Sequence, residues 1–174
     1  MISCSFSSSG HGTPVDALDE LCKAWSQCRS CTTIDSVDGS CDPNNANYEV
    51  GFDPVTNRID CSFNNNDCAI NSCKCDEKLA HGLNAAIDNI NLDFVTNSEG
   101  TGFDHANKCK ANTAQNSGGA SGQGGFETQC CGDYPDRFTF STKNSNSCCG
   151  NVTYNTDKHD CCSNSFLAAI GECS

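Results

Sequence analysis

The sequence predicts a mainly α, disulfide-rich fold. A helix, a small β-wing and a second helix come first, and a small cystine-rich β module follows. Three observations predict it. Apolar residues recur at helical spacing in two stretches. A short alternating stretch with turn residues lies between them. Of 174 residues, 17 are cysteine, a density typical of oxidising compartments, where cross-links replace part of an apolar core.

The first helix reads from Asp16 to Cys28. Val15, Leu18, Cys22 and Trp25 recur at three- and four-residue intervals and make one apolar stripe. Thr13 is the expected N-cap, Pro14 suits the first helical position, and Asp16 and Asp19 lie near the positive end of the helix dipole. Residues 32–47 are polar and turn-rich. Tyr48-Glu49-Val50-Gly51-Phe52 alternates, Asp53-Pro54 and Asn57 supply a turn, and Ile59 resumes the pattern, which reads as a β-hairpin. The second helix is expected from Ser72 to Phe94, with Leu79, Leu83, Ala86, Ile87, Ile90 and Phe94 as its stripe.

Residues 1–95 are therefore read as one helical module. In residues 96–129 the composition changes, and Asn112 to Gly125 is Gly/Ser/Asn/Gln-rich without periodicity, as in a linker or long surface loop. Residues 130–174 carry the doublets Cys130-Cys131, Cys148-Cys149 and Cys161-Cys162, then Cys173. The β-prone stretches Tyr134 to Phe140 and Val152 to Tyr154 lie between them. The phrase C-C-G recurs at 130–132 and 148–150, a hint of a degenerate repeat.

Only 36% of residues are hydrophobic, cysteines included, so cross-links must carry much of the stability. Net charge is −12, with no basic cluster. That excludes a nucleic-acid partner and disfavours anionic membranes. It suits solubility, and no cofactor is expected, weak surface calcium being the one alternative to a plain solvated face. The longest apolar run, Phe166 to Ile170, is too short to span a bilayer, and no signal peptide is seen, so a secreted product would be a mature form. The odd cysteine count leaves at least one thiol free or bonded to another chain.

Residues 10–29 read G-H-G-T-P-V-D-A-L-D-E-L-C-K-A-W-S-Q-C-R. This resembles the frame G-x-G-T-P-V-D-x-L-D-x-C-C-x-x-H-D-x-C-Y of secreted phospholipases A2. A second motif agrees: Cys61, Cys68, Cys73 and Cys75-Asp76 match the family's C-x(6)-C-x(4)-C-x-C-D at the start of its second long helix. The resemblance covers residues 4–95 and implies two antiparallel, cystine-linked helices with a β-wing. It implies the pairs Cys28–Cys75, Cys61–Cys73 and Cys41–Cys68. A further family bridge has lost both ends, at Leu21 and Gly82. Cys22 has lost its usual partner, since that position is Phe6, and we expect it to pair with Cys4. Cys31 and Cys109 are extra, bridging to each other or to the tail.

The resemblance also implies lost chemistry. The family's general-base histidine falls on Trp25 and its calcium-ligand aspartate on Ser26. An indole N–H donates and has no basic lone pair, and a serine brings no charge to a calcium site. Two loop glycines fall on Ser7 and Ser9, and the family's N-terminal helix has no counterpart before Cys4. Asp76 stands at the third degenerate catalytic position. It is read as a first-turn acid favoured by the helix dipole, in preference to a re-used catalytic carboxylate. Arg29 replaces a family tyrosine and is expected to form a structural ion pair with Asp76, which Tyr48 can also reach.

His11, His81, His105 and His159 have no metal-ligand spacing, so no zinc site is expected. Asn151-Val152-Thr153 is an N-glycosylation sequon, placed on an exposed turn. Asp88, Asp93, Glu99 and Asp104 read as a solvated acidic face.

The function expected is a non-catalytic, secreted structural protein: a building block of an extracellular matrix, filament, coat or mineral-associated scaffold. Acidic, non-catalytic phospholipase-like proteins of biomineral matrices supply the analogy. The expected partners are copies of itself or other matrix proteins, with an intermolecular disulfide as one means. The alternative is a binding module or toxin-like subunit engaging a receptor or lipid without hydrolysis, favoured by an apolar patch near Phe6, Phe94 and Phe103.

Overall fold

The computed structural model describes residue 14 and residues 16–89 and 127–173. Helix α1 spans Ala17–Asp35 and helix α2 spans Asp67–Ala86, followed by a 3-10 turn at Ile87–Asn89. Strands β1 (Gly51–Asp53) and β2 (Arg58–Asp60) form the antiparallel wing between them, with Phe52 opposite Ile59. Three further antiparallel hairpins follow: β3 (Thr128–Cys131) with β4 (Phe138–Ser141), β5 (Asn146–Cys149) with β6 (Val152–Asn155), and β7 (His159–Cys161) with β8 (Leu167–Ala169).

Each helix begins where a side chain satisfies a free backbone N–H. The Asp16 carboxylate accepts from the Asp19 N–H at 2.8 Å, so Asp16 caps α1 in place of the expected Thr13, which lies outside the described residues. The Asn66 side chain accepts from the Ala69 N–H at 2.8 Å, so α2 starts at Asp67, five residues before the expected Ser72. Helix α1 also outruns its expected end at Cys28. Arg29, Cys31 and Thr32 in the next turn are all buried, so packing carries the helix on to Asp35. Ile87 is exposed and leaves the predicted stripe, and Ile90 and Phe94 lie outside the described residues. Strand β1 starts at Gly51 instead of Tyr48, because Glu49 bonds to the Asn64 side chain and Tyr48 turns to α2.

The two helices run antiparallel, as their contacts show. Cys28 is joined to Cys75, and seven residues earlier on α1, Leu21 lies against Gly82, seven residues later on α2. A Cβ at Gly82 would sit 2.5 Å from Leu21 Cδ1. The leucine side chain thus fills the space that the lost bridge would occupy. Cys41–Cys68 and Cys61–Cys73 pin the intervening loop and the wing to α2. The Arg58–Glu77 ion pair at 3.2 Å adds a polar tie.

The core is largely sulfur. Cys28, Cys31, Cys73, Cys75, Cys131 and Cys149 are at most 1% exposed, whereas Leu18 and Trp25 are among the few buried large apolar side chains. Trp25, Cys28 and Cys75 form the central cluster, and Leu79 and Tyr134 pack against it.

Tyr134 belongs to the C-terminal module, which is therefore docked on the helices. The bond Cys31–Cys130 fixes it covalently to α1, and Lys78 pairs with Asp136. Strand β3 begins at Thr128, two residues inside the stretch read as linker, because its pairing with β4 extends to Thr128 opposite Ser141. The rest of that stretch lies outside the described residues except Glu127. Successive hairpins are bridged by Cys131–Cys148 and Cys149–Cys161, and Cys162–Cys173 closes the last one. Gly132 and Gly150 follow two of the doublets at φ of 91° and 59°, the left-handed region that glycine enters without a Cβ clash, which is why C-C-G recurs.

If Leu21 and Gly82 stand in for a lost cystine, Leu21→Cys with Gly82→Cys places two sulfurs within bonding reach. We expect the double variant to form a new cystine between positions 21 and 82. Peptide mapping without reductant reads this out, and two persistent free thiols at those positions would contradict it.

Candidate functional site

Asp76 is the centre of a part-buried polar site between the helices. It lies well inside α2, nine residues after Asp67, so the expectation that it is a first-turn acid is corrected. The dipole acts over the first turn only and does not reach it. Its neighbours hold it instead. Trp25 Nε1 donates to Oδ1 at 2.5 Å, and Tyr48 OH donates to Oδ2 at 2.5 Å. Arg29 Nη1 donates to both oxygens, at 2.8 and 2.9 Å. The other guanidinium amino group donates to the Pro43 carbonyl and, at 3.3 Å, to Asn44 Oδ1. The Arg29 Cζ sits 5.1 Å from the centroid of the Trp25 ring, a cation–π contact.

The partners arrive from α1 and from the chain between the two helices. Trp25 and Arg29 are one turn apart on α1, which places both on the face turned to α2. Tyr48 comes from the segment before β1, and Pro43 and Asn44 from the loop fixed by Cys41–Cys68. The Arg29 side chain is 10% exposed and that of Asp76 26%. The carboxylate is filled by its four donors, and both Arg29 amino groups are paired, which offsets the cost of holding such a charged pair away from water.

The chemistry available here is narrow. A carboxylate accepts about four hydrogen bonds, and Asp76 receives four. None of its donors takes a proton near neutral pH: an indole and a guanidinium have no basic lone pair. The Tyr48 hydroxyl is pushed up to about 12, first by burial, then by its bond to the Asp76 carboxylate and by that charge. The arrangement ties two helices and a loop.

Ser26 is not part of this site. It is exposed on α1, and its backbone carbonyl accepts from Ser30 Oγ at 3.0 Å. Asn151 is exposed in the turn between β5 and β6. Cys22 is disulfide-bonded, and Cys4, its expected partner, lies outside the described residues, as do Cys109, Phe6, Ser7, Ser9, His11, Phe94, Asp93, Glu99, Phe103, Asp104 and His105. Cys31, read as bonding to Cys109 or to the tail, bonds to the tail. Among the described residues, no group of three His, Cys, Asp or Glu side chains is placed to hold a metal ion, and no helix is long and apolar enough to cross a membrane.

A second polar cluster has no counterpart in the sequence reading. Asp35, at the C-terminal end of α1, accepts from Tyr134 OH at 2.8 Å, from Arg137 Nε at 2.5 Å and from Arg137 Nη2 at 2.9 Å. Arg137 also donates to the Gly132 carbonyl. An acid at this helix end opposes the dipole, and the arginine offsets it. The partners are 99 and 102 residues apart in sequence. Tyr134 and Arg137 were visible in the sequence only as members of the β-prone stretch after a cysteine doublet. Burial works to raise the Asp35 pKa, but the bonds from Arg137 and Tyr134 and the Arg137 charge outweigh it, and the net shift is downward.

The helical pair, its cystines and the wing define the class, and sequence comparison agrees: the chain belongs to the phospholipase A2 family. It is 33% identical over 92 residues to basic phospholipase A2 DE-1 of Hemachatus haemachatus, covering 53% of this chain and 73% of that protein. It is 34% identical over 88 residues to acidic phospholipase A2 CM-II of Aspidelaps scutatus, covering 49% and 70%. Basic phospholipase A2 1 of Naja sagittifera is 31% identical over 77 residues, covering 44% and 57%. No family model and no solved structure matches the chain.

Two predictions follow from the polar clusters. Asp76→Leu strands the buried Arg29 charge and is expected to cost about 3 kcal/mol in urea unfolding; adding Arg29→Met recovers a large part. For Asp35, a carboxyl lowered in the folded state contributes stability that is present above its unfolded pKa of about 4. That contribution is lost as pH falls through the depressed folded value. Stability should therefore drop in acid, and Asp35→Asn should flatten the drop in a pH series of unfolding curves.

Proposed function

We propose that this chain is a non-catalytic, secreted structural protein, a building block of an extracellular matrix, filament, coat or mineral-associated scaffold. One observation carries the reading: the indole N–H of Trp25 is bonded to Asp76 at the position where the family motif has a histidine. General-base hydrolysis needs a lone pair there, and the indole has none to give. The exposed, uncharged Ser26 beside it removes a carboxylate from the expected calcium site.

The cross-linked build supports the structural half of the reading. Seven cystines among the described residues hold the helices, the wing and the hairpins. By parity, at least one of the 17 cysteines has no partner inside the chain, and a bond to another chain would use it. A dense disulfide framework and an acidic surface suit an extracellular material.

A second reading, a binding module engaging a receptor or lipid without hydrolysis, has one observation in its favour. Val50, Phe52, Val55 and Phe63, on and beside the β-wing, are 58–91% exposed. Liposome flotation tests it, and binding to neutral vesicles would promote it over the scaffold.

For the leading reading, the expected result is no hydrolysis of a fluorescent phospholipid with millimolar calcium, together with covalent multimers on non-reducing gels that collapse on reduction. Turnover above a buffer blank defeats the non-catalytic half. A clean monomer with one titratable thiol defeats the scaffold half.

A further inference from the structure

The vicinal cysteines of the C-terminal module link its cystines end to end. Cys31 bonds to Cys130, its chain neighbour Cys131 to Cys148, Cys149 to Cys161, and Cys162 to Cys173. A continuous covalent line therefore runs from α1 to the last hairpin through four cystines and three Cys–Cys peptide bonds. It crosses each hairpin only at the cysteine doublet at the end of its first strand. Residues 132–147, 150–160 and 163–172 are side loops on this line, and residues 32–129 are bypassed by its first cystine. The cystines span 5.7, 5.5, 5.5 and 5.4 Å between Cα atoms. The foot of the line is also anchored. Cys31 lies one turn beyond Cys28, whose bond to Cys75 holds α1 against α2.

We propose that the module is a tension-carrying strut. Force applied between the helical pair and the C-terminal end passes along the line of cystines, and the hairpins neither unzip nor lengthen under it. Cystines separated by several residues would let the intervening chain extend. Here a single peptide bond separates each from the next. The inference goes beyond the structural role proposed above, since neither phospholipid turnover nor assembly state bears on it.

A second consequence concerns proteolysis. The basic residues after Cys130 are Arg137, Lys143 and Lys158, and each lies within a side loop. Residues 31–37 contain no lysine or arginine. Trypsin thus has no site on the line between Val37 and Cys173, and a nicked hairpin leaves the strut whole.

Single-molecule force spectroscopy on the full chain tests this. One handle is attached at the fully exposed Val37 by chemistry that spares cysteine, the other at the C-terminus. Without reductant, extension between Val37 and Cys173 should stop at about 50 Å, with no stepwise lengthening. With reductant it should reach about 470 Å. Replacing both Cys149→Ser and Cys161→Ser frees residues 150–160 and adds about 35–40 Å. After trypsin treatment the oxidised wild-type tether should hold, while that of the double variant parts at Lys158. An oxidised wild-type tether that lengthens by a hairpin loop, or parts after trypsin, overturns the proposal.

Discussion

The cystine between Cys28 and Cys75 sets the separation of the two helices, and the other contacts are arranged around it. Its sulfurs lie in the cluster with Trp25, so the bond is both a cross-link and the middle of the core. With few large apolar side chains to bury, hydrophobic burial alone would be weak for a chain of this length. Half-cystines supply buried volume without a polar group, and they also restrict the unfolded chain. Arg29 and Asp76 are the chain neighbours of Cys28 and Cys75, and Trp25 lies one turn before Cys28. Their hydrogen-bond geometry depends on the spacing that the cystine imposes.

The Asp76 network holds two helices and a loop together through the character of its partners. A base and a carboxylate can pass a proton. An indole, a guanidinium and a high-pKa phenol can only hold the carboxylate still. The change at Leu21 and Gly82 has the same character. A covalent tie is replaced by a side chain packed against a bare backbone, and the helices keep their alignment there.

The helices were legible because their stripes repeat at the helical period, and the β character of the tail because two short β-prone stretches lie between its cysteine doublets. The ends of the helices were not. Helix α1 reaches Asp35 because Cys31 and Thr32 are buried by chain almost a hundred residues away, which local periodicity cannot register. The start of α2 depended on recognising Asn66 as a cap in a run of three asparagines, any of which has the right chemistry. That misplaced start also led to reading Asp76 as a dipole-stabilised acid. The pairing of Arg29 with Asp76 was legible through the two motifs that align them. The Asp35, Tyr134 and Arg137 cluster had no such guide. Nor did the tail pairings, since seven cysteines allow many connectivities.

The three bridged hairpins differ in size but not in linkage. Their half-cystines are 17, 12 and 11 residues apart, while the cystines span nearly the same distance. Loop length is therefore uncoupled from the geometry of the connection. A unit of this design can accept insertions at its tip without disturbing its neighbours. It can also be duplicated in tandem, each added copy lengthening the module by at most about 9 Å. Growth by copying needs no new packing surface, only another vicinal pair in register.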